Sequence, residues 1–186
     1  MGTRYALPHR LLHWGIAILI LLSLASGMTL GFLGFEGAME RFGQAGTDFV
    51  YTYHKTLGVT ILGLMVLRLI SRLVFGKPAY EQALPPAQKW ASNAVHITLY
   101  VLLFTMPVLG WLATASGGYP VQFFQFNLPG LIGRDPALSE TLFAWHGRVG
   151  WLILVLAVIH ISAALYHWKV RRDGVMQRMS LLGGNR

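Results

Sequence analysis

The amino-acid sequence predicts an all-α integral membrane protein, a four-helix bundle with both termini in the cytoplasm. Three observations predict it. Of 186 residues, 54% are apolar and only 12% charged. The apolar residues gather into four long runs, and the basic residues sort to alternate connections between them. A soluble domain of this size needs far more charge to cover its surface, so lipid is the implied solvent.

Residues 11–33, 56–67, 94–115 and 142–166 contain almost no charge, and a span needs about 20 apolar residues. The second run reaches that length only when extended back to Phe49 and forward to Phe75, which takes His54, Lys55, Arg68 and Arg72 inside. The expected helices are about 9–33, 49–75, 90–115 and 141–169, in one domain covering 1–186. A cleaved signal peptide is the alternative for residues 1–30, since Arg4 and Arg10 precede an apolar stretch. That stretch exceeds an ordinary core of about 7–15 residues and no clear A-x-A site follows, so it is expected to be a retained helix.

Charge orients the helices. The N-terminus (Arg4, Arg10), the second connection (Arg68, Arg72, Lys77, Lys89) and the C-terminal tail (Lys169, Arg171, Arg172, Arg178, Arg186) hold eleven of the 15 basic residues. The opposite face holds Arg41, Lys55, Arg134 and Arg148, together with Glu36, Glu40, Asp48, Asp135 and Glu140. The positive-inside rule then places both termini in the cytoplasm. The net charge of +8 is thereby a topology signal and no sign of nucleic acid. Trp14, Trp90 and Trp168 fall near the inner edge and Trp145 near the outer one, as interfacial anchors do. Residues 34–48 and 116–140 form the outward connections. The longer carries Phe123-Phe124-Gln125-Phe126, either a cap over a site or a segment lying among headgroups. The inner connection, 76–89, holds Pro78, Pro85 and Pro86 and reads as a stiff linker.

The absence of cysteine removes disulfides, iron–sulfur clusters, thiolate zinc sites and covalently attached c-type haem. Histidine is the remaining ligand. All seven, His9, His13, His54, His96, His146, His160 and His167, lie in a span or within a turn of its end. In lipid an ionisable side chain is costly and is a functional candidate by default. Depth pairs four of them. His160 lies fourteen residues beyond His146, about 21 Å along the helix and close to the same face. His54 matches the depth of His146, and His13 approximately that of His160. Two stacked haems, each held by two histidines, need this arrangement.

Small side chains select the same four. The residues four positions on are Ala17, Gly58, Gly150 and Ala164, whereas His9, His96 and His167 are followed by His13, Tyr100 and Arg171. A flat macrocycle beside a ligating histidine needs that room on the helix face. Lys55 and Arg148 adjoin the outer pair, and Arg10, Arg68 and Arg72 the inner one, where propionates need cations or donors. No Asp or Glu lies inside a span, which lowers proton-coupled transport and histidine–carboxylate metal sites in rank.

These features together resemble the bacterial cytochrome b561 family, relatives of the cytochrome b subunits of hydrogenases and formate dehydrogenases. The matching residues are Arg4-Tyr5 and His13-Trp14, His54-Lys55-Thr56-Leu57-Gly58, Arg68 and Arg72, His96 with Tyr100, and Pro107 with Gly110. The most specific stretch is His146, Gly150, His160, Ala163-Ala164-Leu165-Tyr166-His167, Arg172-Asp173-Gly174 and Arg178-Met179. The resemblance implies two haem b groups, the outer held by His54 and His146 and the inner by His13 and His160. It implies ubiquinone or a similar quinone near the inner haem, with His96 and His167 exchanging hydrogen bonds or protons with it. It also implies a bacterial inner membrane location. Close relatives oxidise superoxide and pass its electron to quinone, so superoxide is a candidate donor. The alternative is a conduit for a periplasmic redox protein. His9 and His167 remain open as alternative ligands. A haemless structural bundle is the remaining reading.

Overall fold

The computed structural model describes residues 3–182, so Arg186 of the basic tail lies outside the described residues. Three long helices dominate: α1 (Leu7–Phe75), α2 (Pro86–Ser116) and α3 (Pro136–Tyr166), the last running on through a π-helical turn, His167–Arg171. By length and composition all three can cross a membrane. Two short strands, β1 (Val121–Phe123) and β2 (Phe126–Leu128), form a hairpin between α2 and α3.

The 69 residues of α1 do not form one rod. Gly34 (φ 67°, ψ −176°) and Gly43 (φ 66°, ψ 177°) break the helical path, in a region of backbone space that is essentially open to glycine alone. The chain between and after them stays helical, so the outward connection expected over 34–48 is a helical turnaround hinged on two glycines. The helix therefore doubles back on itself. Arg72 donates to the Tyr5 hydroxyl at 2.8 Å, the His54 ring meets Ser26, and Phe35 meets Tyr51 with ring centres 6.2 Å apart. Its two arms run antiparallel.

Proline and aspartate set the other helix starts. Pro86 opens α2 after Pro85, and Pro136 opens α3, where a missing N–H costs nothing and φ is already helical. Asp135 caps α3 by accepting from Leu138 N at 3.0 Å. Gly76 closes α1 at φ 68°, its N–H returning to Arg72 O.

Ile16, Ile61, Met65, Leu103 and Ile153 form the core, drawn from both arms of α1, from α2 and from α3. Elsewhere large apolar side chains point outward, with Phe32 90% and Leu73 75% exposed. Such an apolar exterior is stable against lipid and not against water.

The hairpin adds a feature to the all-α expectation. Its turn centres on Phe124 and Gln125 and lacks the Asn-Gly or Asp-Gly signal that marks such turns in sequence. Phe124 takes φ 52°, unusual for a bulky residue. Its N–H is held by Thr56 Oγ1 at 2.9 Å, which ties the hairpin to α1.

Candidate haem-binding site

Four histidines meet in two pairs at two levels of the bundle. The rings of His54 and His146 lie 6.0 Å apart, at 81° to one another. Those of His13 and His160 lie 6.1 Å apart, at 80°. A metal bonded to one nitrogen of each imidazole at about 2.0–2.1 Å would set the ring centres about 6 Å apart, so both pairs have the spacing that an axially held iron needs. His96 also contacts His160, but at 5.1 Å the ring centres are closer than two imidazoles on opposite sides of one iron require. Among the described residues no three His, Cys, Asp or Glu side chains gather as a bare metal ion requires. The donor set therefore fits a haem, whose macrocycle supplies the other four ligands.

The His54–His146 pair, which the charge pattern assigns to the outer level, is fixed from behind. The Ser26 hydroxyl donates to Ser23 O and receives His54 Nδ1 at 3.1 Å. His146 Nδ1 donates to Met106 O at 3.1 Å. Each bond places the ring proton on Nδ1 and leaves Nε2 with a free lone pair, the state a ligating histidine requires. Pro107 follows that carbonyl in α2 and leaves Leu103 O, one turn earlier, without its helical N–H. Glycines seat both rings. A Cβ at Gly27 would lie 2.7 Å from His54 Cε1, and one at Gly110 2.9 Å from His146 Cε1. By contrast Gly58 and Gly147 face open space within 4 Å, while Gly150 meets Met106 Cε at 3.2 Å.

The hairpin covers this end. Thr52 reaches Gln122, Thr56 holds Phe124, and Lys55 Nζ donates to Pro120 O at 3.1 Å. Arg148 is exposed and lies over the Trp145 ring at 4.9 Å. Of the two outer cations read from sequence, one is committed to the loop and the other stacks on a surface tryptophan.

The His13–His160 pair, which the charge pattern assigns to the inner level, is set differently. His13 Nδ1 is buried without a hydrogen-bond partner, as are His9 Nδ1, Arg68 Nε and Ser71 Oγ. His9 is itself buried and stacks on Tyr5 at 4.9 Å. Arg68 lies over the Tyr100 ring at 5.4 Å. His96 is exposed and bonds Ser92 O through Nδ1 at 2.5 Å. His167 is not level with His13; its Nδ1 pairs with buried Asp173 at 2.6 Å.

The tail closes the inner end. Trp14 Nε1 donates to Met179 O, Arg10 to Ser180 O, and Tyr5 N to Arg178 O. Arg178 is buried between the Tyr5 and Tyr80 rings and donates to Pro78 O. Sequence reasoning found the histidines and the cations but not Ser26, Gly27, the Met106 carbonyl or the Asp173 pairing. Pro107 and Gly110 were the visible trace of the His146 seat.

Comparison with known proteins gives the family. A family model described as prokaryotic cytochrome b561 matches residues 4–180. The cytochrome b561 homolog 2 of Escherichia coli (strain K12) is 26% identical over 178 residues, covering 95% of this chain and 90% of the relative. Cytochrome b562 of Cereibacter sphaeroides is 29% identical over 168 residues, 90% and 89% of the two chains. A probable superoxide oxidase, CybB, of Yersinia pestis is 23% identical over 179 residues, 96% and 97%.

Proposed function

We propose that this chain, which belongs to the prokaryotic cytochrome b561 family, passes electrons through two b haems between a periplasmic donor and membrane quinone. The single observation that carries this reading is the equal spacing of two histidine pairs, 6.0 and 6.1 Å, at two levels of one apolar bundle.

The arms of α1, with α2 and α3, make four spans of the bacterial inner membrane, both termini cytoplasmic. As a straight rod of 69 residues α1 would extend about 100 Å, far beyond a hydrocarbon core of about 30 Å, and the glycine breaks support two crossings. His54 and His146 hold the outer haem, and His13 and His160 the inner. When bound, each haem supplies a one-electron iron couple. Ser26 and the Met106 carbonyl orient the outer imidazoles, and the β hairpin limits access of water to that end. Lys55 and Arg148 supply positive charge at the outer rim; Arg10, Arg68 and Arg72 supply it at the inner one.

Quinone binds near the inner pair. A groove of about 310 Å³ walled by Trp14, Trp168, Met176 and Gln177 supports this, since the Trp14 ring lies 5.3 Å from that of His13. His96 and His167 are the groups to exchange protons with it, His167 through Nε2 because Asp173 occupies Nδ1.

Superoxide is the proposed donor, giving up one electron to become dioxygen, as the name of the Yersinia pestis relative suggests. A reduced-minus-oxidised spectrum with haem quantified per chain tests the cofactor: a sharp low-spin b-type band with two haems is expected, and no haem in protein made with ample supply refutes the reading. Quinone reduction with superoxide as sole donor tests the chemistry. A conduit for a periplasmic protein is the second reading, favoured by an outer face whose five acids outnumber its four bases. Haem reduced by superoxide without quinone turnover would support it.

A further inference from the structure

We infer that Arg68 biases an electron shared between the two histidine pairs toward the inner pair, and so sets the direction of transfer from the outer face inward. The inference rests on the two-haem reading proposed above.

Unpaired polarity is concentrated at one end of the molecule. Among the described residues, the buried side-chain atoms without a hydrogen-bond partner include Nε of Arg10, Arg68 and Arg178, with His9 Nδ1, His13 Nδ1 and Ser71 Oγ. Only Thr47 Oγ1 belongs to the outer side. Arg68 is a part-buried cation on the second arm of α1. It forms no ion pair with any described residue, its guanidinium lies over Tyr100, and it is close enough for its charge to act on His9, His13, His96 and His160. The nearby carboxylate of Asp173 is committed to His167 and Arg171.

The outer pair has no counterpart. Lys55 is tied to Pro120 O with Asp48 close to it, and Arg148 is exposed on the Trp145 ring. Beside that pair in sequence stand Lys55 and Arg148. Arg10, Arg68, Arg72 and Arg178 gather at the other end, and Arg10, Arg68 and Arg178 each keep a buried Nε without a hydrogen-bond partner there.

Reduction lowers the charge of a haem iron by one. An uncompensated cation in a poorly screened interior favours that change, whereas solvated cations at a surface act weakly. One electron therefore leaves the His54–His146 site, which is oxidised, and arrives at the His13–His160 site, which is reduced. No bond breaks and no proton is needed in this step.

The test is a spectroelectrochemical redox titration of the purified haem-loaded protein, with the two sites assigned by titrating the His54→Ala variant. In the wild type the inner midpoint is expected to be the higher. Arg68→Met should reduce the equilibrium constant for electron transfer to the inner site about tenfold, 59 mV for one electron, with the outer midpoint nearly unmoved. Arg68→Lys should recover most of the difference. An inner midpoint below the outer one in wild type overturns the inference, and this arm stands even if Arg68→Met fails to load haem. A midpoint difference unchanged in a loaded Arg68→Met protein overturns it equally. Wild type without two haems refutes the two-haem reading instead, so the failures are distinguishable.

Discussion

The outer and inner histidine pairs share one spacing and differ in nearly everything behind it. His54 and His146 each spend Nδ1 on a neutral acceptor, and each ring sits against a glycine of a neighbouring segment. His13 has no partner at Nδ1 and lies within reach of the Arg68 charge. The outer site is thus positioned by hydrogen bonds and shape, the inner by charge and by the tail that closes over it. Ring spacing alone would make the sites equivalent. Their surroundings differ: one is held by hydrogen bonds to fixed acceptors, and the other lies at a polar end beside the Trp14 groove.

Removing a ligand breaks the comparison most severely. His146→Ala should halve the haem content and abolish the outer low-spin signal, and His160→Ala should do the same for the inner one. His167→Ala should leave both, because Asp173 holds that ring away from His13. Electron paramagnetic resonance of the oxidised proteins reads the outcome, and loss of the inner signal in His167→Ala would reassign the ligand.

Next in size is Asp173→Ala. Its carboxylate is 1% exposed and pairs with His167, and leaving a buried polar partner unsatisfied costs about 1–3 kcal/mol. A clear fall in the thermal midpoint is expected, with the outer haem spectrum preserved. An unchanged midpoint would show that the tail adds little to the inner end.

Shape at the outer site is tested by Gly110→Val. The added Cβ would lie 2.9 Å from His146 Cε1, and such overpacking costs about 1–3 kcal/mol. Haem quantification should show loss from the outer site only. Gly58→Ala sharpens the point. Nothing of the protein lies within 4 Å of a Cβ there, so reduced outer haem in that variant reports the macrocycle itself, and full loading would place the macrocycle elsewhere.

The smallest effect belongs to Ser26→Ala. A single hydrogen bond contributes about 0.5–1.5 kcal/mol, so haem is expected to stay bound while the outer midpoint rises, the imidazole having lost an acceptor that strengthens it as a ligand. An inner midpoint that moves equally would contradict separate control of the sites.

Parts of this were legible from sequence because helical geometry is regular. A rise of about 1.5 Å per residue places His160 about four turns below His146, and helix directions follow from charge, so residues distant in sequence acquire comparable depths. That logic groups His54 with His146 and His13 with His160, the same histidines that stand side by side in the fold. It fails where identity depends on a neighbouring segment. Gly27 and Gly110 look like ordinary small residues of apolar runs, and only the approach of an imidazole ring explains them. Asp173 reads as one acid in a basic tail until the chain folds it against His167. The 34–48 segment, polar enough to read as a connection, stays helical because only Gly34 and Gly43 need to bend.

The sequence by itself determined the solvent, the helical class and the levels at which histidines occur, since hydropathy and helical rise are local properties. Tertiary structure alone decided which ring faces which, which nitrogen is occupied and which cations remain uncompensated. Those depend on contacts across the bundle, between residues as far apart as Met106 and His146 or Tyr5 and Arg178, and no local pattern encodes them.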